Sequence, residues 1–208
     1  MTIALFAAVG YLAGSMPFGY WLVRLTKGVD IRTVGSGNIG ATNVWRLYGR
    51  RLGIPVVLLD VAKGFVPALV FSLTVSSLAG VLAGAAAMLG HARPLFLRFE
   101  KGGKMVATTA GAFLGVAPIV GGIIAVLWIT VFLLFRYASV ASIVAALSLP
   151  FAAAALGYSW PVVVFGAVAA VAVLVLHRAN IKRLLAGTEN RFRLRRSAPH
   201  EPSSGRSL

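Results

Sequence analysis

One short segment of the chain combines glycines with basic side chains, because Lys101-Gly102-Gly103-Lys104 leads directly into an apolar stretch. Glycines allow successive backbone N–H groups to turn toward an anion, a helix that begins there adds the positive end of its dipole, and Lys104 adds a point charge. The segment therefore predicts a phosphate site. A plain turn before a helix is the alternative. A Walker loop is excluded, since the glycine spacing differs and no predicted strand precedes it.

A second segment with similar chemistry spans residues 35–43, Gly-Ser-Gly-Asn-Ile-Gly-Ala-Thr-Asn. Its small residues permit close approach of the backbone to a ligand, and its hydroxyl and amide groups can form hydrogen bonds. If the segment continues as a helix, Arg46 lies on the same face as Thr42, where its guanidinium suits bidentate contact with phosphate. A helix-hairpin loop with Asn caps is the alternative. The candidate ligand contacts here are Ser36, Gly37, Asn38, Thr42 and Asn43.

Polar residues also interrupt or border other apolar stretches. Asp60 and Lys63 lie inside one of them, where a charge that faces lipid costs about 2.5–3.5 kcal/mol. They form either an ion pair with a purely structural role or part of a recessed polar site, and the sequence leaves both open. Farther along, Arg136, Ser139 and Ser142 recur at a spacing of three, which predicts one shared helix face. The two serines are either helix-packing residues or, together with Arg136, substrate contacts.

The residues that usually bind metals are scarce. The chain has no cysteine and three histidines, which supplies a zinc centre poorly. Its acidic residues form no Asp-rich pattern of the kind that binds Mg²⁺. His91 and His177 fall at the predicted ends of apolar stretches, where a histidine is either an ordinary interfacial residue or a site residue. We therefore expect no metal and no cofactor.

The composition indicates whether the chain folds in water or in lipid. Of 208 residues, 59% are hydrophobic and 12% charged, and 20 Lys or Arg against 5 Asp or Glu give a formal charge of +15. Soluble domains carry about 25% charged residues, so this chain, with a mean hydropathy of +0.88, is not a water-soluble globule. Nucleic-acid binding is also disfavoured, because the basic residues punctuate long apolar runs instead of forming a polar face.

The apolar runs predict an all-α polytopic membrane protein. A spanning helix needs about 20 apolar residues, and we expect seven spans in a single domain of residues 1–192. The alternative is five spans plus a re-entrant pair, because two of the segments are short. Residues 193–208 form a basic tail that we expect to be disordered. The predicted spans are approximately residues 3–23, 53–75, 77–92, 105–117, 119–135, 138–156 and 160–176.

The orientation follows from the positions of Lys and Arg. Six lie between residues 24 and 51, four between 93 and 104, one at 136 and eight from 178 onward, whereas the opposite connections contain none. Basic loops face the cytoplasm, so we expect the N-terminus outside, the C-terminus in the cytoplasm and the glycine-rich segments on the cytoplasmic side.

Taken together, these segments resemble the bacterial acyl-phosphate:glycerol-3-phosphate acyltransferase family (PlsY). The resemblance covers nearly the whole chain up to about Phe192, and the three basic motifs occur in family order. One residue departs from the pattern, since Met105 stands where the family's second motif usually has glycine, which puts the geometry of the cradle in question. The matching segments are residues 14–20, 35–46, 60–67, 90–108, 136–142, 177–183 and 187–191.

The resemblance implies a multi-pass enzyme of the bacterial inner membrane that performs the first acylation of phospholipid biosynthesis. It would move an acyl group from acyl phosphate to the sn-1 hydroxyl of glycerol 3-phosphate, giving lysophosphatidic acid and phosphate. Neither a Gly-x-Ser-x-Gly elbow nor a His-x4-Asp motif is present, so we expect direct transfer without an acyl-enzyme. A soluble enzyme that produces acyl phosphate is a candidate partner. An anion transporter or channel is the alternative function.

The roles that follow from the resemblance are expectations for individual residues. The loop with Lys104 would hold the acyl phosphate, and His177 or a substrate phosphate oxygen would accept the proton. The expected catalytic residues are Lys104, His177, Asn180, Arg46 and Ser142. The expected substrate contacts are Ser36, Gly37, Asn38, Thr42, Asn43, Lys63, His91, Gly102, Gly103, Thr108, Arg136 and Ser139.

Overall fold

The structure, a computed structural model, describes residues 3–192, and no strand occurs in that range. The all-helical prediction is confirmed, and the basic tail from residue 193 lies outside the described residues. Two short 3₁₀ turns, Ile31–Thr33 and Leu95–Leu97, interrupt the connections. The helices are α1 (Ile3–Gly14), α2 (Phe18–Lys27), α3 (Ala41–Tyr48), α4 (Arg50–Thr74), α5 (Ser77–Ala92), α6 (Val106–Val116), α7 (Pro118–Phe135), α8 (Ala138–Ala155), α9 (Trp160–Leu176) and α10 (Arg178–Leu185).

Every segment predicted to span the membrane is helical, and the first is divided into α1 and α2 by a break at residues 15–17. Five segments are long and apolar enough to cross a bilayer, and α9 with α10, bent by 60°, makes up to six. The remaining predicted span corresponds to α6, which has only 11 residues. The seven-span count therefore stays a prediction, as does the alternative of a re-entrant pair.

Small residues let the helices approach closely, as is common where lipid gives no hydrophobic drive for helix association. A Cβ added at Gly14 of α1 would lie 2.0 Å from the Ala87 carbonyl oxygen of α5. A Cβ added at Gly111 of α6 would lie 2.0 Å from the Val61 carbonyl oxygen of α4. These contacts hold α5 against α1 and α6 against α4. The outer helix α7 has many exposed apolar side chains.

The connection between α2 and α4 is a folded element with its own small core. Ile31 and Ile39 are fully buried against Val23 of α2, Val44 of α3 and Val56 of α4. This apolar cluster seats the glycine-rich segment on the end of the bundle where most described Lys and Arg residues lie. We call this the basic end.

Candidate functional site

A cavity of about 360 Å³ opens at the basic end and continues between the helices. Its walls come from the connection before α3, from α3 to α10 and from the segment after α10. One end is polar and basic, whereas the other is lined by Phe113, Ile124, Ala145 and Leu149. The cavity therefore joins a place for an anion to a place for an apolar chain.

The polar end is organised by a group of side chains that we call the site network: Lys104, Ser139, Asn180, Arg183 and Glu189. The Lys104 ammonium donates to Asn180 Oδ1, and Asn180 Nδ2 donates to Glu189 Oε1 at 2.6 Å. Ser139 Oγ donates to the same oxygen at 3.0 Å, and Arg183 Nε donates to Glu189 Oε2 at 2.7 Å. Glu189 thereby fixes the orientation of the Asn180 amide, which presents its oxygen to Lys104.

Charge in the site network is unbalanced toward positive. Lys104 and Arg183 face one carboxylate, Glu189, and Arg46 lines the same cavity. Burial lowers the pKa of Lys104 to about 8, although the Glu189 carboxylate acts to raise it. Burial raises the pKa of Glu189, but hydrogen bonds from Asn180, Arg183 and Ser139 outweigh burial and hold the pKa below its ordinary value. The site thus holds cations that protein carboxylates do not neutralise.

The glycine-rich connection is held in shape by one buried amide, Asn43. Its Oδ1 accepts from the Ser36 backbone N–H at 3.0 Å, and its Nδ2 donates to the Asn38 carbonyl at 2.9 Å. The predicted helical face is confirmed, since Thr42 and Arg46 both lie on α3 and both line the cavity. The Nδ2 of Asn38 is buried and has no partner among residues 3–192, so it is a donor available to a ligand.

His177 lies between α9 and α10, with its ring in the cavity wall. Its Nδ1 is 2.8 Å from the Val173 carbonyl oxygen, and because a carbonyl only accepts, Nδ1 carries a proton. In the neutral ring the lone pair is then on Nε2, which can accept a proton. Ser142 also lines the cavity, but its hydroxyl donates to the Ala138 carbonyl at 2.6 Å and accepts from Trp128 Nε1 at 3.0 Å.

The structure brings most of the sequence-predicted residues together. Eleven of them line the cavity: Ser36, Asn38, Thr42, Asn43, Arg46, His91, Lys104, Ser139, Ser142, His177 and Asn180. Six lie outside its lining: Gly37, Lys63, Gly102, Gly103, Thr108 and Arg136.

The two glycines of the 101–104 segment differ from expectation in what their amides do. Gly102 N–H donates to the Ala92 carbonyl and Gly103 N–H to the His91 carbonyl, each at 2.9 Å. The prediction that these amides turn toward an anion is therefore wrong for this structure. Glycine is required here for space, because a Cβ at residue 103 would lie 1.9 Å from His91 Nε2. Lys104 and the start of α6 are what the segment presents to the cavity.

Met105 occupies a backbone conformation that explains why a glycine would fit there. Its φ is +67°, in the left-handed region that side chains other than glycine rarely adopt. Its side chain is buried in an apolar cluster that includes Met88 and Ala92, and it does not line the cavity. The methionine thus costs backbone strain and gains packing, and it does not narrow the polar end.

Arg136 does not share the face of Ser139 and Ser142, contrary to the prediction from their spacing. It follows the last residue of α7 with a φ of +62°, and α8 begins only at Ala138. Three-residue spacing places side chains on one face only within a helix. The Arg136 carbonyl instead accepts from the Phe192 backbone N–H at 2.8 Å, which anchors the segment that carries Glu189.

Asp60 and Lys63 form a buried ion pair, with 2.8 Å between Asp60 Oδ1 and Lys63 Nζ. We call these two residues the core pair. Lys63 Nζ also donates to the carbonyl of Met16 at 2.8 Å, and Met16 lies in the break between α1 and α2. His91 Nδ1 lies 3.6 Å from Asp60 Oδ1, and Asp60 and His91 line the cavity while Lys63 does not. Asp60 therefore borders the polar site, whereas Lys63 makes structural contacts only.

Sequence reasoning missed four polar lining residues. Thr109 lines the cavity instead of its neighbour Thr108, and its buried hydroxyl has no partner among residues 3–192. Arg183, Glu189 and Asn190 complete the polar wall. The signal for these three was present, since they fall in the last two segments that resemble the family. Within residues 3–192, no three His, Asp or Glu side chains group as metal ligands would.

Comparisons with known proteins agree over nearly the full chain. The family model described as "Glycerol-3-phosphate acyltransferase" matches residues 4–187. A protein of that name from Desulforudis audaxviator is 45% identical over 196 residues, covering 94% of this chain and 98% of the relative. The one from Geobacter sulfurreducens is 50% identical over 188 residues, covering 89% and 95%.

Two solved structures are also similar. Both are crystal structures of PlsY (YgiH), an integral membrane glycerol 3-phosphate acyltransferase, and each comparison covers 92% of this chain and 96% of that one. The glycerol 3-phosphate form superposes with a TM-score of 0.88 at 41% identity. The lysophosphatidic acid form superposes with a TM-score of 0.85 at 40% identity.

Proposed function

This chain belongs to the glycerol-3-phosphate acyltransferase family, and we propose that it takes the acyl group from an acyl phosphate and transfers it directly to the sn-1 hydroxyl of glycerol 3-phosphate. The family acts in phospholipid biosynthesis. The observation that carries the proposal is that one and the same cavity has cationic and apolar parts of its lining. An acyl phosphate has both parts, a phosphate and a long apolar chain, and so does the lysophosphatidic acid product.

The reaction exchanges one bond at the acyl carbon. The glycerol hydroxyl oxygen attacks the carbonyl carbon, the bond from that carbon to the phosphate oxygen breaks, and inorganic phosphate leaves. An acyl phosphate is an activated mixed anhydride, so positioning and charge stabilisation can drive the step without an enzyme nucleophile. Ser142 fits this account, because its hydroxyl hydrogen bonds to the Ala138 carbonyl and to Trp128.

Lys104 stabilises the charge that develops on the leaving phosphate. Its ammonium is held by Asn180 at the polar end of the cavity, beside the start of α6. A cation held in place in a partly buried site stabilises an anion more strongly than one in water. Because burial lowers its pKa to about 8, Lys104 is mostly protonated at neutral pH and loses that charge in mildly alkaline solution.

Glycerol 3-phosphate occupies the side of the cavity formed by α3 and the connection before it. Arg46 provides the bidentate cation, and Ser36, Asn38 and Thr42 provide donors for phosphate and hydroxyl oxygens. The related PlsY structure in its glycerol 3-phosphate form supports an acceptor site in this fold. The hydroxyl proton passes either to His177 Nε2 or to an oxygen of a substrate phosphate. His177→Gln removes the first route and should then abolish most of the activity, whereas it leaves the second route in place.

The membrane orientation is part of the proposal. Lys and Arg are concentrated at the basic end, where the polar end of the cavity opens. By the positive-inside rule this end faces the cytoplasm of a bacterium, with the chain in its inner membrane. Glycerol 3-phosphate would enter from the cytoplasm, and a soluble enzyme that makes acyl phosphate would deliver the donor there.

The donor is tested with purified protein, palmitoyl phosphate and labelled glycerol 3-phosphate, without added metal or acyl-CoA. We expect labelled lysophosphatidic acid and one equivalent of phosphate. A parallel reaction replaces palmitoyl phosphate with palmitoyl-CoA, and the boiled protein serves as control. Product from the thioester and none from the acyl phosphate would refute the donor while leaving the acceptor in place.

A further inference from the structure

The chain that follows α10 leaves the helix in a tight turn, and we call its residues 186–192 the return segment. Gly187 has a φ of +67°, in the left-handed region. Its N–H donates to the Leu184 carbonyl at 3.2 Å, and the Thr188 N–H donates to the Arg183 carbonyl at 2.8 Å. These two bonds form a Schellman motif, which ends a helix at a left-handed glycine. The turn directs the rest of the return segment back to the polar end of the cavity.

The return segment is fixed at two points. Glu189 accepts hydrogen bonds from three members of the site network, and its neighbour Asn190 lines the cavity. Farther on, the Phe192 N–H donates to the Arg136 carbonyl at 2.8 Å, at the junction of α7 and α8. Because only two residues separate Glu189 from Phe192, the position of one restricts where the other can lie.

The side chain of Phe192 lies between two helices that also line the cavity. Its ring centroid is 5.4 Å from that of Phe132 on α7 and 6.1 Å from that of Trp45 on α3. The ring planes cross at 70° and 78°, which is the edge-to-face arrangement that aromatic pairs favour. Phe192 is 8% exposed and is not part of the cavity lining. It can therefore affect a bound substrate only through its neighbours.

We propose that Phe192 is a positioning residue that holds Glu189 at the site network, an inference that rests on the proposed function because the network is assigned to the substrate phosphates. Glu189 orients the Asn180 amide, whose oxygen accepts from Lys104. Site groups keep their geometry when packing and outer hydrogen bonds hold them. Without the ring, the end of the return segment loses its apolar contacts, and Glu189 is free to move away from its partners.

A purely structural role is the competing possibility. A buried phenylalanine that only fills the space between α3 and α7 would lower the free energy of unfolding when it is removed. It would leave the action of Glu189 on Lys104 unchanged. A loss of stability in Phe192→Ala is therefore expected in both cases, and only the chemistry of the site separates them.

The pH dependence of activity is the first measurement that separates them. The charged or titratable groups that face Lys104 are Glu189, Arg183, Arg46, Lys101 and His177. Glu189 is the acidic group among them, and it acts to raise the pKa of Lys104. If Phe192 holds Glu189 in place, the alkaline fall in activity should begin at lower pH in Phe192→Ala. Each profile is scaled to its maximum, so it does not depend on how much of a variant is folded.

The second measurement is a double-mutant cycle on kcat/KM for lysophosphatidic acid formation. Phe192→Ala alone should lower kcat/KM by about tenfold. In a protein that already carries Glu189→Ala, the same change should alter kcat/KM by less than about twofold, because the group that Phe192 positions is gone. A loss of about tenfold in that background, or a profile of Phe192→Ala that coincides with the wild type, would overturn the inference.

The matched control is Phe71→Ala, which removes the same ring from a different buried site. Phe71 packs on Phe6 in a separate apolar cluster and does not line the cavity. Its pH profile should coincide with that of the wild type, and a shift as large as that of Phe192→Ala would contradict the inference. If Phe192→Ala does not fold, Phe192→Leu removes both ring contacts while keeping apolar bulk. Its profile should shift in the same direction, and an unshifted profile would refute the role.

Failure of the proposed donor gives a different result. Wild-type protein would then form product from acyl-CoA and none from acyl phosphate. The acceptor carries a phosphate with either donor, so the cycle and the pH profiles measured with acyl-CoA would support or overturn the role of Phe192 by the same two criteria.

Discussion

Two groups of charged residues contribute to the lining of one cavity and are organised in opposite ways. The core pair holds one carboxylate and one ammonium with side chains 3% and 2% exposed, and the ammonium is also bound by the Met16 carbonyl. The site network holds Lys104 and Arg183 against a single carboxylate, Glu189, with Arg46 in the same wall. The core pair is neutral overall, whereas the site network carries more positive than negative charge.

The difference indicates what each group is for. A buried ion pair adds little net stability over apolar residues, but removing one member leaves an uncompensated charge. The core pair therefore holds α4 to the break between α1 and α2. In the site network a substrate phosphate supplies the missing negative charge, which gives binding and transition-state stabilisation that the empty protein lacks. Substitutions in the core pair should therefore lower the free energy of unfolding, whereas substitutions in the site network should lower kcat/KM.

The largest expected effect is on folding, from Lys63→Met. This change leaves the Asp60 carboxylate buried without its cation and should lower the free energy of unfolding by about 3–5 kcal/mol. The measurement is denaturant or thermal unfolding of the purified protein in detergent. Combining it with Asp60→Asn removes the unpaired charge and should recover at least half of the loss. If Lys63→Met alone unfolds like the wild type, the core pair has no structural role.

The next effect is on rate, from Lys104→Ala. Loss of a cation that stabilises the leaving group should lower kcat/KM by about 100- to 1,000-fold. The matched control is Lys101→Ala, in the same segment but exposed and outside the cavity lining, which should stay within about twofold. Unfolding of both variants should resemble that of the wild type. A rate for Lys104→Ala within threefold of the wild type would contradict the proposed role of the site network.

The smallest effect, about tenfold in kcat/KM, is expected from Glu189→Gln, and its signature is pH dependence. In the wild type, activity should fall as pH rises through about 8, because Lys104 then loses its proton. The Glu189 carboxylate raises the pKa of Lys104, so its removal lowers that pKa further. The fall should then begin at lower pH.

The control for this shift is Glu100→Gln at the same end of the bundle. Glu100 pairs with Arg32, its side chain is 61% exposed, and it does not line the cavity. Its pH profile should coincide with that of the wild type when both are measured with subsaturating substrates. Identical profiles for Glu189→Gln and the wild type would show that Glu189 does not act through Lys104.

Sequence patterns located the site residues well where the pattern is local. The Thr42 and Arg46 face was predicted correctly because both residues fall within one helix, and so was the shared face of Ser139 and Ser142. Arg136 was placed wrongly because the three-residue helical spacing was extended to a residue that precedes the first residue of α8, Ala138. Helix ends are the least certain part of such predictions, and a small error there removes a side chain from its expected face.

Other parts of the site depend on packing that no local pattern contains. Thr109, and not Thr108, faces the cavity, and α6 is apolar on all sides, so its sequence gives no preferred face. Glu189 was overlooked because its partners at residues 139, 180 and 183 come from other elements. The amides of Gly102 and Gly103 bond to carbonyls at the end of α5, a contact set by how α5 and α6 pack.

The amino-acid sequence by itself determined the class of the protein, its helical segments and the concentration of Lys and Arg at one end. These follow from length, hydropathy and charge, because lipid allows a spanning backbone few structures other than a helix. Only the tertiary structure decided which polar groups share the cavity and which cations line it. Lys104 and Asn180, 76 residues apart, meet because helices pack in three dimensions.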